Sequence, residues 1–226
     1  MSRDYLYGTG LMMEQQEDLY HFNSDTVFLA SFMDIKHSDS VLDVGCAQGA
    51  LLLYASVFRP SSLTGIDLFE EVIDACGHNL QLNHIDAQLT VTPVQKHEGQ
   101  YTVILCNPPF FETENPDLIN ENPVIAAARH ASYLPLEDLF SSVKRLLKDN
   151  GRFYLVHRAS EAQKILLTAD RYGLHARRMR FAYESIHGNA KSVVMEFRFR
   201  KAADCVIEPC AYLDDRDTFK PKGGSV

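Results

Sequence analysis

The sequence predicts an α/β fold built on an open, mostly parallel sheet with helices on both faces. Three observations predict it. Short apolar runs of strand length alternate with segments of helix length from about residue 40 onward, which is the signature of parallel strands joined by crossover helices. The first run is followed at once by a glycine turn that opens a helix, in the order Val41-Leu42-Asp43-Val44-Gly45-Cys46-Ala47-Gln48-Gly49. The run Tyr101-Thr102-Val103-Ile104-Leu105-Cys106 is short, rich in branched side chains and stopped by two prolines, which reads as a strand buried on both faces.

Composition sets the outer limits. At 226 residues with 46% hydrophobic side chains, the chain suits one domain with a full core and is too apolar for disorder. The longest largely apolar run, 50–58, falls far short of the roughly 18 residues that span a membrane. The first residues, Met1-Ser2-Arg3-Asp4-Tyr5, carry no apolar leader, so a cytoplasmic location is expected. Cysteines 46, 76, 106, 205 and 210 are scattered and read as reduced thiols. The nine histidines form no metal-ligand spacing, and no metal is expected. Charge is uneven: residues 1–151 hold 8 Lys and Arg against 21 Asp and Glu, a net of −13, while 152–226 hold 14 against 9, a net of +5. Such asymmetry marks either a polyanion-facing end or an ordinary solvated surface.

The elements follow in order. Residues 1–39 form an extension, with an edge strand or hairpin around Gly8 and Gly10 between Tyr5 and Met13. The stretch from His21 to Met33 reads as a helix capped by Ser24 or Asp25. A catalytic domain is expected over 40–201, with strands at 40–45, 63–67, 88–93, 101–106, 152–157, 175–183 and 192–200. Helices are expected at 49–58, 69–82, 136–148 and 160–171, and 202–226 is a tail. Asn150-Gly151 reads as the stop of the helix at 136–148. The stretch 111–134 is long and rich in Asn, Pro and Glu, and a segment of that kind directly after a catalytic turn suits a substrate-gating lid.

Candidate site residues cluster at two strand ends. Glycines 45 and 49 permit positive φ and close approach of a ligand to the backbone, and the helix that follows offers free N–H groups. Asp67 ends the next strand 18 positions after Gly49, where an acid in such folds bonds ribose hydroxyls; the alternative is an N-cap for the helix near Phe69. At the other strand end stands Asn107-Pro108-Pro109-Phe110. The Asn107 side-chain oxygen and the Pro108 carbonyl are two acceptors suited to the two hydrogens of one planar amine. Phe110 supplies a flat face for the ring that carries it.

These residues resemble the Asn-Pro-Pro-aromatic motif of the S-adenosylmethionine-dependent amino-methyltransferases, which act on adenine N6, cytosine N4, guanine N2 or glutamine N5. The glycine turn is similar to that family's Asp-x-Gly-x-Gly-x-Gly pattern, with Ala47 in place of the middle glycine. The strand and helix order resembles a Rossmann-like class I methyltransferase, a mostly parallel seven-stranded sheet with one antiparallel strand near its edge. Three stretches bring the resemblance closer: Phe22-Asn23-Ser24-Asp25-Thr26-Val27-Phe28-Leu29-Ala30, the Asn-Pro-Pro-Phe-Phe turn, and Ala128-Arg129-His130 ahead of 139–153. Together they resemble the bacterial tRNA(Val) adenine N6-methyltransferase family over most of residues 10–200.

The resemblance implies methyl transfer from S-adenosyl-L-methionine to the N6 amine of an adenine in tRNA beside the anticodon. It implies that Asn107, Pro108, Pro109 and Phe110 carry the chemistry. It further implies that Asp25, Asp43, Gly45, Ala47, Gly49, Asp67 and Asn107 hold the cofactor, and that Phe110, Arg129 and His130 contact substrate. For Asp25 the alternative is a plain helix cap; for Arg129 and His130 it is a structural role. The segment 94–100 shows no acid–aromatic pair for clasping the cofactor adenine. Competing readings are an amino-methyltransferase acting on a protein glutamine or an rRNA guanine, and a non-catalytic binding module that kept the fold. Arg177, Arg178, Arg180, Arg198, Arg200 and Lys201, on and beside the last two strands, are expected to meet RNA phosphates.

Overall fold

The computed structural model describes residues 2–110, 134–200 and 204–212. The expected lid apart from Leu134, with Arg129 and His130 in it, lies outside the described residues, as do Lys201 and the last fourteen positions.

Strands β3 (Ser40–Val44), β4 (Ser62–Asp67), β5 (Gln88–Val91), β6 (Tyr101–Cys106) and β7 (Leu147–Arg158) run parallel in the order β5-β4-β3-β6-β7. Strand β9 (Ala190–Arg198) then pairs antiparallel with β7 on one side and with β8 (His175–Tyr183) on the other. These are the seven expected strands, with the single reversed one next to the edge strand β8. Two short strands, β10 (Val206–Ile207) and β11 (Ala211–Tyr212), lie parallel along the outer edge of β8 and bring the sheet to nine. Within the expected tail, residues 206–207 and 211–212 join the sheet: Ala211 is fully buried, and the Glu208 N–H donates to the Met179 carbonyl at 2.8 Å.

Alternation along the strands builds two cores. On β6, Val103 and Leu105 point to one face and Ile104 and Cys106 to the other, as the period of two requires. Helices α1 (Ser24–Phe32), α2 (Ala50–Ser56) and α3 (Glu70–Leu82) cover the first face; α4 (Leu136–Leu146) and α5 (Ala162–Arg171) cover the second. Helix α4 ends two residues before the sequence predicts because Leu147 already pairs with Tyr101, so Asn150-Gly151 lies within strand β7 rather than at a helix stop. The expected helix at 160–171 begins as a 3-10 turn at Ala159–Glu161.

The extension is docked on this frame. A hairpin of β1 (Ser2–Tyr5) and β2 (Met12–Gln15) turns through Gly8 and Gly10, both at positive φ. It is pinned to α3 by two asparagines. Asn79 Oδ1 accepts from the Glu14 N–H at 2.8 Å while Asn79 Nδ2 donates to the Glu14 and Gln48 carbonyls, both at 3.0 Å. Asn83 makes the matching pair with Met12. Gln48 in turn accepts from the Gln16 N–H at 2.8 Å and donates to the Tyr20 carbonyl at 3.0 Å. The chain from 13 to 22 is thereby held over the carboxyl ends of the central strands.

Candidate active site

A cavity of about 390 Å³ opens at the carboxyl ends of β3, β4, β5 and β6, the position at which open α/β sheets bind ligands. Its wall includes the glycine loop, Asp43, Asp67, the 92–95 loop, the whole Asn107-Pro108-Pro109-Phe110 turn and the docked arm through Met13, Tyr20 and Phe22.

The glycine loop is shaped by left-handed backbone at three positions: Gly45 at φ 73°, Ala47 at φ 47° and Gly49 at φ 95°. Ala47 therefore keeps the turn that a glycine would make. For an L-residue this region costs about 1–2 kcal/mol. A hydrogen bond from the Ala47 N–H to Asp67 Oδ2 at 3.1 Å helps to hold it there. Gly49 does not line the cavity; it opens α2, and a Cβ there would meet Cys76 Sγ at 3.0 Å.

Asp67 is not the cap of α3, whose N-cap position is Phe69. Its carboxylate accepts from Ala47 N–H and, at 2.7 Å, from Leu68 N–H, and burial pushes its pKa up against those bonds. Asp43 lies deeper and is 1% exposed. Neither of its oxygens has a hydrogen-bond partner, and burial, then the nearby Asp67, push its pKa up to about 8. A buried carboxylate with no partner is costly unless something cationic or hydrogen-donating meets it.

At the other end, Asn107 Nδ2 donates to Thr26 Oγ1 at 3.0 Å. That bond fixes which way the amide faces and leaves Oδ1 as its acceptor end. Thr26 sits in the first turn of α1, whose cap is Asn23: Asn23 Oδ1 accepts from the N–H groups of Asp25 and Thr26. The expected cap at Ser24 or Asp25 is thus one or two residues late. Asp25 does not line the cavity either. Its carboxylate accepts from Ser192 Oγ at 2.5 Å and ties α1 to β9, and burial raises its pKa. Phe110 rests against His157 at the end of β7, ring centroids 4.8 Å apart and tilted by 57°.

The cavity thus brings together Asp43, Gly45, Ala47, Asp67, Asn107, Pro108, Pro109 and Phe110, while Asp25 and Gly49 do not line it. The sequence overlooks Thr26, Gln48 and His157, whose roles arise only from long-range contact. The cavity wall at Leu68, Pro93, Val94 and Gln95 also escapes it, since no acid–aromatic pattern marks it. Among the expected phosphate-binding residues, three are engaged elsewhere. Arg178 pairs with Glu196 at 2.7 Å and Glu208 at 2.5 Å and covers the Phe32 ring at 4.3 Å. Arg198 pairs with the same buried Glu196, and Arg180 donates to the Pro209 carbonyl at 2.9 Å. These arginines hold the edge of the sheet together.

Comparison with known proteins agrees with this fold. The Methyltransferase small domain family matches residues 20–115, the span from the docked arm through the glycine loop to the proline turn. A methyltransferase of known structure from Pyrococcus furiosus superimposes with a TM-score of 0.62, covering 84% of this chain and 89% of its own, at 14% identity. The fold is that of a class I methyltransferase. Among curated proteins, the tRNA1(Val) (adenine(37)-N6)-methyltransferase of Dyadobacter fermentans is 26% identical over 200 residues, 86% of this chain and 82% of its own length. That of Phocaeicola vulgatus is 26% identical over 189 residues, 82% and 79%. Over most of its length the chain is similar to these tRNA1(Val) (adenine(37)-N6)-methyltransferases.

Proposed function

We propose that the protein transfers a methyl group from S-adenosyl-L-methionine to the N6 amine of an adenine in tRNA, in tRNA(Val) beside the anticodon. The observation that carries this reading is the Asn107 amide, whose nitrogen is held by Thr26, lining the cavity together with Pro108 and Phe110. The names of the curated relatives supply the nucleotide and the RNA.

The cavity fits the cofactor on its own chemistry. The unpartnered Asp43 carboxylate suits a cationic ligand, and Asp67 suits a pair of ribose hydroxyls. The glycine loop admits close backbone approach. Leu68, Pro93 and Val94 add apolar lining that suits a flat base. When bound, the cofactor supplies an electrophilic methyl on sulfonium.

The residues at the acceptor end do the rest. An exocyclic amine conjugated to its ring is a poor nucleophile. Asn107 Oδ1 and the Pro108 carbonyl accept its two N–H groups, which aims the nitrogen lone pair along one line. As nitrogen gains the methyl it becomes positive, and the same two acceptors stabilise it more strongly than in the ground state. One N–H proton then passes to water, which restores the neutral amine. An adenine must leave its stack to enter, and Phe110 gives the extruded ring a face.

The test offers total tRNA, ribosomal RNA and protein in parallel with methyl-labelled cofactor. Label in N6-methyladenine of tRNA is the expected result. Label in protein glutamine or in rRNA guanine would replace this reading.

A further inference from the structure

We infer that Gln95 selects adenine as the base of the cofactor, and that Asp138 is the residue that positions Gln95 to do so. Gln95 Oε1 accepts from the adenine amine, while Asp138 holds the other end of the amide and keeps it from turning round. The inference rests on the reading of the cavity as the S-adenosyl-L-methionine site and adds which side chain reads the base.

The order of the strands places the base. The amine clamp stands at the end of β6, and the glycine loop follows β3. Asp67 ends β4, and residues 92–95 follow β5, three strands away from β6. The methyl must meet the amine, so the sulfonium belongs on the β6 side. The ribose belongs at Asp67, and the base, joined to the far side of the ribose, falls against the loop after β5. That loop lines the cavity with Thr92, Pro93, Val94 and Gln95. Only Thr92 and Gln95 among them have polar side chains. A hydroxyl can turn to suit an amine or an oxygen, whereas an amide held at one end cannot.

Gln95 is held in that way. Its Nε2 donates to Asp138 Oδ2 at 3.1 Å, and a carboxylate only accepts, so the bond fixes which end of the amide is which. Oε1 is the acceptor that remains, and the second Nε2 hydrogen is the donor beside it. Adenine presents an amine next to a ring nitrogen, the complement of that pair. A base with oxygen in place of the amine would set two acceptors face to face, and reversing the amide would set its oxygen against Asp138. The backbone beneath is held from the same helix. Arg145, two turns beyond Asp138 on α4, donates to the carbonyls of Val94 at 3.0 Å, Gln95 at 3.2 Å and His97 at 2.5 Å. The Thr92 N–H donates to the Asp67 carbonyl at 2.8 Å, which joins the loop to the residue that suits the ribose. Gln95 and Asp138 are both exposed, so neither is needed to fill the core.

The experiment measures calorimetric affinity for S-adenosylhomocysteine and for S-inosylhomocysteine, which carries an oxygen in place of the adenine amine. The proteins are the wild type, Gln95→Leu and Asp138→Asn, each checked for folding by thermal unfolding. The wild type should prefer the adenosyl compound by about tenfold or more, the scale of one hydrogen bond exchanged for two facing acceptors. Gln95→Leu should bring the two affinities within about twofold of each other by weakening the adenosyl compound. Asp138→Asn should close the gap from the other side. Its side chain can accept as well as donate, so the Gln95 amide can turn, and inosyl affinity should rise while adenosyl affinity changes little. A wild type that binds both compounds equally, or a Gln95→Leu variant that keeps the full preference, would overturn the inference. Equal loss of both affinities in Asp138→Asn, or an unchanged preference, would overturn its positioning role. A wild type that binds neither compound shows itself before any substitution and removes the reading of the cavity as the cofactor site.

Discussion

Asn107 has a donor end and an acceptor end, and only one of them can usefully face an amine. Thr26 takes the donor end at 3.0 Å. We expect Thr26→Val to lower kcat by on the order of tenfold, because the freed amide can rotate its N–H groups toward the substrate amine. Cofactor affinity should stay level, and Thr26→Ser, which keeps the hydroxyl, should restore the rate. Single-turnover kinetics beside calorimetry separate the two quantities. Asp43 gives a second prediction, through pH. Its folded pKa is pushed up to about 8 from an ordinary 3.8. Between those values the unfolded chain has released the proton and the folded protein still holds it, so this residue makes stability fall as pH rises from about 4 towards 8. Thermal unfolding of the ligand-free protein should show Asp43→Asn gaining on the wild type across that window. A gap that does not change with pH would mean the carboxylate is not held protonated. The residue scale is also where the sequence was most legible. Asn107 and Asp67 announce themselves because prolines and a strand end mark their places. Thr26 does not, since its partner lies 81 positions away and nothing local distinguishes it from any helical threonine.

At the scale of elements, helix α1 and the hairpin matter more than their length promises. The sequence shows α1 as a capped helix ahead of the core, and shows the hairpin through its glycines. It does not show that both close the cavity. That depends on side-chain amides reaching the backbone of distant segments, and such bonds leave no periodic trace. Asn79 is the test. It is fully buried and makes three bonds that join the hairpin, α3 and the glycine loop. Asn79→Ala would leave the buried Gln48 carbonyl and the partly buried Glu14 backbone groups without these partners, at up to about 1–3 kcal/mol for a buried one. We expect a clear drop in thermal stability together with weaker cofactor binding, because Gln48 also holds the arm at Gln16 and Tyr20. Weaker folding with cofactor affinity intact would mean that the hairpin is a passive cover. The last strands teach the opposite lesson. Their arginines read from sequence as a phosphate-binding row. Glu196, at 1% exposure, instead draws Arg178 and Arg198 into an ion-pair cluster. A buried carboxylate is expensive unless paired, so it claims the nearest cations.

At the scale of the whole molecule, the sheet separates two tasks by strand. The parallel strands β3 and β4 present the acids and the glycine loop that suit the cofactor, and β6 presents the amine clamp. This order was readable from the alternation of strands and helices, since crossover connections leave few ways to stack them. The edge strands β10 and β11 were not, because two residues each is too short for any period to show. The central claim is that the molecule brings one amine to one methyl through Asn107. The most direct test is single-turnover methylation of matched RNA by Asn107→Ala, with cofactor affinity measured alongside. The account predicts a fall in the chemical step of about a hundredfold or more, the loss typical of a removed preorganised polar group, with cofactor affinity nearly unchanged. Near-normal turnover by Asn107→Ala would contradict it.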